Sequence, residues 1–233
     1  MTQPFHFNQF TIQQKINPQK VGTDSMLLGA WSCGTYNFIL DIGTGTGILA
    51  LMLAQQNPTS KIIAIEPDED SINEAIVNFT GSRFNQQIIA IKSSLQDFKM
   101  NEKFDLIISN PPYFENSFLS ESNDKNRARH TNSLPINIFY EKAKEFLKEN
   151  GNLNLILPFD LESIHLREAE KYGFYPEKII RTKRENGEYK RTLISYSLAK
   201  KSYSEKEMIV KYSDNSYSKE YIEMTKDFYK KKL

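Results

Sequence analysis

The chain of 233 residues has one cysteine, one tryptophan and three histidines. A single thiol, Cys33, can form neither an internal disulfide nor a CxxC metal pair. It is expected to be a small packed residue rather than a nucleophile. His130 has no second histidine near it at ligand spacing, so no metal site is expected. No apolar run approaches the roughly 18 residues that span a bilayer, so no membrane partner is expected. The opening MTQPFHFNQF has no basic head followed by an apolar core, and no signal peptide is read there. Net charge is also nearly absent, at +1. Any basic surface for an acidic polymer must therefore be local. Together these absences point to a soluble protein of a reducing compartment, with the cytoplasm as the expected location.

What is present is ordinary globular material, 39% apolar and 25% charged. The length suits one domain, 1–233, divided into an N-terminal lid segment (1–35), a core (36–200) and a C-terminal extension (201–233). Phe5, Phe7, Phe10 and Ile12 alternate roughly, which predicts a small hairpin. Core packing is the expected use of those rings, ahead of stacking on bases. Asp24 is the predicted N-cap of a short helix, SMLLGAWS. From residue 38 strands and helices alternate. Strands are predicted at 38–42, 62–66, 88–91, 104–109 and 153–157, with helices at 48–55, 69–79, 136–148 and 161–172. That pattern means βαβ units and a mainly parallel sheet covered on both faces. Two further strands, 175–184 and 189–198, flank Asn186-Gly187, a pair suited to a type I′ hairpin turn. An antiparallel hairpin should thus close the sheet. A strand at 208–212 and a short amphipathic helix are read in the tail. A polar loop covers about 114–133.

The first strand runs into Asp41-Ile-Gly43-Thr-Gly45-Thr-Gly47. In an open α/β sheet this is where a nucleotide-like ligand sits, and the glycines let backbone approach it closely. Asp41 would repel a pyrophosphate but attract a cationic amino or sulfonium group. Glu66 ends the next strand, where a carboxylate can accept from both ribose hydroxyls. Asp97, after the third, is placed to accept from an adenine amino group.

Asn110-Pro111-Pro112-Tyr113 follows the strand FDLIIS directly. The prolines fix φ and leave no free amide, so the Asn110 side-chain oxygen and the Pro111 carbonyl are held at a set angle. An aromatic amine is a weak nucleophile because its lone pair is delocalised. Two acceptors on its hydrogens draw the nitrogen toward tetrahedral geometry and free the lone pair for attack on a methyl sulfonium. Tyr113 can stack on the planar base.

DIGTGTG and NPPY resemble the cofactor and substrate motifs of class I amino-group methyltransferases. The segment KVGTDSMLLGAW, Lys20 to Trp31, is more specific. With FHFNQFTIQQ before it and EYIEMTKDFY near the end, nearly the whole chain resembles the bacterial tRNA(Val) adenine-N(6) methyltransferases, which modify the adenine beside the anticodon. The resemblance implies a Rossmann-like α/β fold of seven strands with the last hairpin antiparallel. It implies S-adenosylmethionine as cofactor and tRNA as partner, with a monomer expected. It also implies that the segment Lys20–Ser25, with Lys20, Thr23 and Asp24, folds over the cofactor beside Asp41, Gly43, Gly45, Gly47, Glu66, Asp97 and Asn110. Pro67 stands where relatives often have an aliphatic residue. Candidate phosphate contacts are Arg127, Arg129 and His130, and Arg181, Lys183, Arg184, Lys190 and Arg191 in the closing hairpin. The hairpin set equally suits a solvated face diluted by Glu185 and Glu188. Two other readings stand beside the leading one. The first is a methyltransferase of the same fold acting on a release-factor glutamine or a DNA base. Those enzymes usually carry extra domains for which little room is evident here. The second is a non-enzymatic RNA-binding protein, which the intact Asn110, Tyr113 and Glu66 argue against.

Overall fold

Side chains one residue apart on a strand face opposite sides of a sheet, and the strands here bury both sides. Ile39, Ile62, Ala64, Leu106 and Ile108 enter one core; Leu40, Ile42, Ile63, Ile65 and Ile107 enter the other. In the computed structural model, described over residues 3–16, 20–111 and 134–230, this produces a three-layer α/β structure. The elements in chain order are β1 (Phe5–His6), β2 (Thr11–Ile12), α1 (Thr23–Trp31), β3 (Phe38–Ile42), α2 (Ile48–Gln56), β4 (Lys61–Glu66), α3 (Glu69–Thr80), β5 (Ile88–Lys92) and β6 (Phe104–Ser109). There follow α4 (Ile136–Phe146), β7 (Leu147–Pro158), a 3₁₀ turn (Phe159–Leu161), α5 (Glu162–Lys171), β8 (Tyr175–Lys183), β9 (Tyr189–Ser197), β10 (Ser204–Ile209) and α6 (Lys219–Thr225). Helices α1, α2, α3 and α6 contribute to the first core, and α4 and α5 to the second.

The main sheet has eight strands in the order β10-β8-β9-β7-β6-β3-β4-β5. Only β9 runs against its neighbours. Order reverses between β3 and β6, so the ends of those strands open the crevice in which such sheets bind ligands.

The sheet has eight strands, not the expected seven, and the hairpin does not close it. β10 lies parallel on the outer edge of β8. It starts earlier than 208, because Ser204–Ile209 exposes polar side chains and buries Met208, while Arg181–Glu205 and Lys183–Glu207 pair across to β8. Charged pairs of this kind suit an edge strand. The β8–β9 turn is not type I′, since Asn186 has negative φ; only Gly187, at φ 87°, is left-handed. Gly187 N–H donates to Arg184 C=O, Arg184 N–H to Glu188 C=O, and Glu188 N–H to Asn186 Oδ1. This is a three-residue loop ending in a left-handed glycine. Cys33, finally, is exposed rather than packed, because it follows the last turn of α1.

The predicted N-terminal hairpin forms as β1–β2, with Phe7 and Phe10 buried and stacked 4.5 Å apart. The tail docks on it: Asn8 N–H donates to Phe228 C=O, and Phe7 bridges Tyr229. No helix among the described residues is long and apolar enough to cross a membrane.

Candidate active site

The β3–α2 loop needs glycine at each turn. Gly43, Gly45 and Gly47 have φ of 70°, 55° and 82°, all in the left-handed region. Their surroundings differ. An added methyl at Gly43 would meet nothing within 4 Å, whereas at Gly47 it would drive into the Phe79 ring. Gly47→Ala is therefore expected to destabilise the fold by roughly 2 to 4 kcal/mol, from overpacking and backbone strain together. Thermal denaturation checks this, and a variant melting with the wild type would show that Phe79 moves aside without cost.

Asp41 sits beneath this loop, fully buried. Its Oδ2 accepts from Thr44 Oγ1 at 2.6 Å, while Oδ1 has no hydrogen-bond partner. Burial pushes its carboxyl up to about 7, against the Thr44 hydroxyl and the nearby Ala50 amide, which favour the anion; Glu66 adds a small upward push. Such an orphaned acceptor at a ligand crevice is a site for a donor or a cation. Glu66, half-buried at the end of β4, accepts from Gly45 N–H at 3.1 Å and Asp68 N–H at 3.2 Å. Burial raises its carboxyl too. Its remaining lone pairs can still take hydroxyl donors. Ser93 N–H donates to Glu66 C=O, which brings the loop after β5 alongside. Asp97 lies further along that loop, exposed, with its Oδ2 accepting from Ser94 Oγ at 2.6 Å.

The substrate motif begins beside the same loop. Ser109 Oγ donates to Ile42 C=O at 2.8 Å, locking the ends of β6 and β3 together. Asn110 follows, half-buried, and its Nδ2 donates to Ser25 Oγ at a long 3.4 Å. That directs the amide so that its oxygen stays an acceptor. Pro111 is buried. Pro112 and Tyr113 lie outside the described residues, as do Arg127, Arg129 and His130.

The segment before α1 spans the two motifs. Gln13 exchanges hydrogen bonds with Asn78, which also donates to Thr46 C=O in the glycine loop at 2.8 Å. Glu74 Oε1 accepts from Ile16 N–H at 2.9 Å. Lys20 Nζ donates to Gln14 C=O at 2.7 Å, so its ammonium braces this segment. Thr23 opens α1. Asp24 is not the N-cap: Gly22 holds that position, and Asp24, in the first turn of the helix, accepts from Arg191 Nε at 2.7 Å. Sequence reasoning missed Asn78, Glu74, the contact of Ser25 with Asn110 and the Arg191 pairing. In the β8–β9 hairpin Arg181 binds Glu162 and Glu205, Lys183 binds Glu207, and Arg184 and Lys190 bind Glu188. These cations are therefore engaged within the protein, which favours the solvated-face reading of that set.

A buried acceptor without a partner, open space above Gly43 and a second acid at the next strand end fit a ligand that is cationic at one end and a nucleoside at the other. They do not suit a pyrophosphate. With the strand order and the amide-proline motif, they define a Rossmann-like class I methyltransferase using S-adenosylmethionine. A family model described as the methyltransferase small domain matches residues 22–169. The chain is 37% identical to the tRNA1(Val) (adenine(37)-N6)-methyltransferase of Christiangramia forsetii over 98% of both chains. It is 33% identical to the protein of that name from Actinobacillus pleuropneumoniae, again over 98% of both. It belongs to the tRNA1(Val) (adenine(37)-N6)-methyltransferase family. Among solved structures, a predicted O-methyltransferase from Agrobacterium tumefaciens superposes with a TM-score of 0.70 over 88% of this chain and 96% of that one, at 14% identity. The ribosomal protein L11 methylase of Lactobacillus delbrueckii gives 0.53 over 74% and 76%, at 18%. At these identities the likeness is one of fold.

Proposed function

We propose that this protein transfers a methyl group from S-adenosylmethionine to the N6 amine of the adenine at position 37 of tRNA(Val), acting in the cytoplasm as a monomer. The observation that carries the chemistry is Asn110, held at the crevice with its amide nitrogen on Ser25 and its oxygen left to accept. S-adenosylmethionine supplies an electrophilic methyl on a sulfonium. Asp41 and Glu66 supply the acceptors for it, Asp41 toward the amino-acid end and Glu66 toward the ribose. Gly43 leaves room for its close approach. Lys20 and Thr23 belong to the covering segment, and Asp97 stands toward the adenine. Asn110 Oδ1 and the Pro111 carbonyl accept the two amine hydrogens of the target base. Tyr113 stacks on it. The target adenine has to be splayed from its loop to reach them. Asn110 takes no proton at neutral pH, so the amine proton leaves to water after transfer.

The test is transfer of labelled methyl to total tRNA from a strain lacking the gene. Label is expected in one tRNA, as N6-methyladenosine beside the anticodon. Label in protein and none in tRNA would overturn the proposal.

A further inference from the structure

The first turn of α1 has no capping side chain; its N-cap is Gly22. Residues Met26 to Ala30 are buried and fix the body of the helix, but Thr23, Asp24 and Ser25 are only half-buried. Yet this turn carries Ser25, the partner of Asn110. A charge-assisted hydrogen bond from far along the chain holds it. Arg191 Nε donates to Asp24 Oδ2 at 2.7 Å. Such bonds are about twice as strong as neutral ones. The Asp24 carboxylate also lies at a helix N-terminus, where negative charge is favoured.

Arg191 is itself well fixed. Its N–H donates to Thr182 Oγ1 and its Nη1 to Lys190 C=O. The next residue, Thr192, donates to Glu162, which also grips Arg181. Arg191 pairs in register with Pro158, the last residue of β7. It therefore sits at the strand ends that open on the crevice, and its side chain crosses to α1.

We infer that Arg191 and Asp24 are positioning residues: the pair sets the α1 turn that holds Ser25 against Asn110, and so sets the direction of the Asn110 oxygen. This deepens the methyl-transfer reading and rests on it. It replaces two roles suggested by sequence, a phosphate contact for Arg191 and a cofactor contact for Asp24.

The two roles of Arg191 separate experimentally. Arg191→Leu, Asp24→Asn and the double variant are compared in single-turnover methyl transfer to tRNA, with Arg191→Lys as the conservative variant. Each single change is expected to slow transfer about 10-fold to 100-fold, the cost of a small misplacement at a reacting centre. The double variant should be no slower than the worse single one, and the lysine variant should recover part of the rate. KM for tRNA and affinity for S-adenosylmethionine should change less than about threefold, and the salt slope of tRNA binding should not change. A phosphate contact predicts the opposite: Arg191→Leu lowers that slope by about one and raises KM, while Asp24→Asn is neutral. That pattern, or additive single effects, overturns the inference. Amide hydrogen exchange over residues 20–31 reads the tether without substrate. Protection there should fall in all three non-conservative variants, and unchanged protection overturns the inference even if tRNA proves not to be the substrate.

Discussion

Asn110→Ala is expected to lower the rate of methyl transfer by about 10²-fold to 10³-fold while leaving S-adenosylmethionine affinity within a few fold of wild type. The magnitude is that of removing one preorganised hydrogen-bond partner from a reacting centre. The asymmetry follows from place. Asn110 lies at the end of β6, its nitrogen on Ser25, and makes no hydrogen bond with Asp41, Glu66 or the glycine loop. Losing it leaves the cofactor cradle intact. The target amine loses one of its two acceptors, so its lone pair stays conjugated and the barrier rises. Ground-state binding of the base, through stacking, should persist, so KM for tRNA should move less than kcat. Asn110→Asp separates acceptor from donor. It retains an oxygen but loses the N–H that reaches Ser25, and its charge is placed near two raised carboxyls; an intermediate rate is expected. Loss of cofactor affinity in Asn110→Ala, measured by calorimetry, would assign the residue to the cofactor and remove it from the amine.

How far the sequence reached depended on range. Elements with strong patterning were legible: β3, β4, α3 and β6 fall within a residue or two of the spans read from short apolar runs and helical spacing. The glycine loop was legible because three positive-φ positions and an acid in a fixed order constrain one another locally. The N-terminal rings were rightly assigned to packing. The misses are contacts between distant segments. Nothing near Asp24 announces Arg191, 167 residues away, so a carboxylate preceding an apolar helix read as a cap. Nothing near Met208 shows that β8 has a free edge, so the eighth strand was misplaced. The hairpin cations could be read either way because acidic partners of theirs, Glu162, Glu205 and Glu207, come from another helix and another strand. Asn78 carried no motif at all; its role appears only when α3 is packed against the loop at Thr46.

Asp41→Asn should change pH dependence twice, in stability and in binding. Burial pushes the folded carboxyl up to about 7, against 3.8 for an ordinary solvent-exposed aspartate. Between those values the folded state binds more protons than the unfolded one, so stability falls as pH rises through the window. Each unit of such a shift corresponds to about 1.4 kcal/mol, so the burden on the free protein at pH 8 is a few kcal/mol at most. The substitution removes this titration. Its stability should decline less between pH 4 and 7, and at pH 8 the free variant should melt above the wild type, less whatever the added amide donor costs where Oδ1 had no partner. Cofactor binding should show the reverse. A cationic group near Asp41 favours its anion, so wild-type affinity for S-adenosylmethionine should weaken by up to about tenfold per unit as pH falls below 7. The variant should bind with little pH dependence and, at pH 8, about 10²-fold more weakly, as expected for loss of a buried charge-assisted contact. Thermal denaturation and calorimetry across pH 4 to 8.5 read both curves. Parallel stability curves for the two proteins would place the ionisation elsewhere, and a flat wild-type binding curve would mean that the cation is not recognised by Asp41. A carboxylate kept at the edge of ionisation weakens the empty fold and holds its charge for the ligand, so the cost of burying Asp41 and its use in binding have one physical origin.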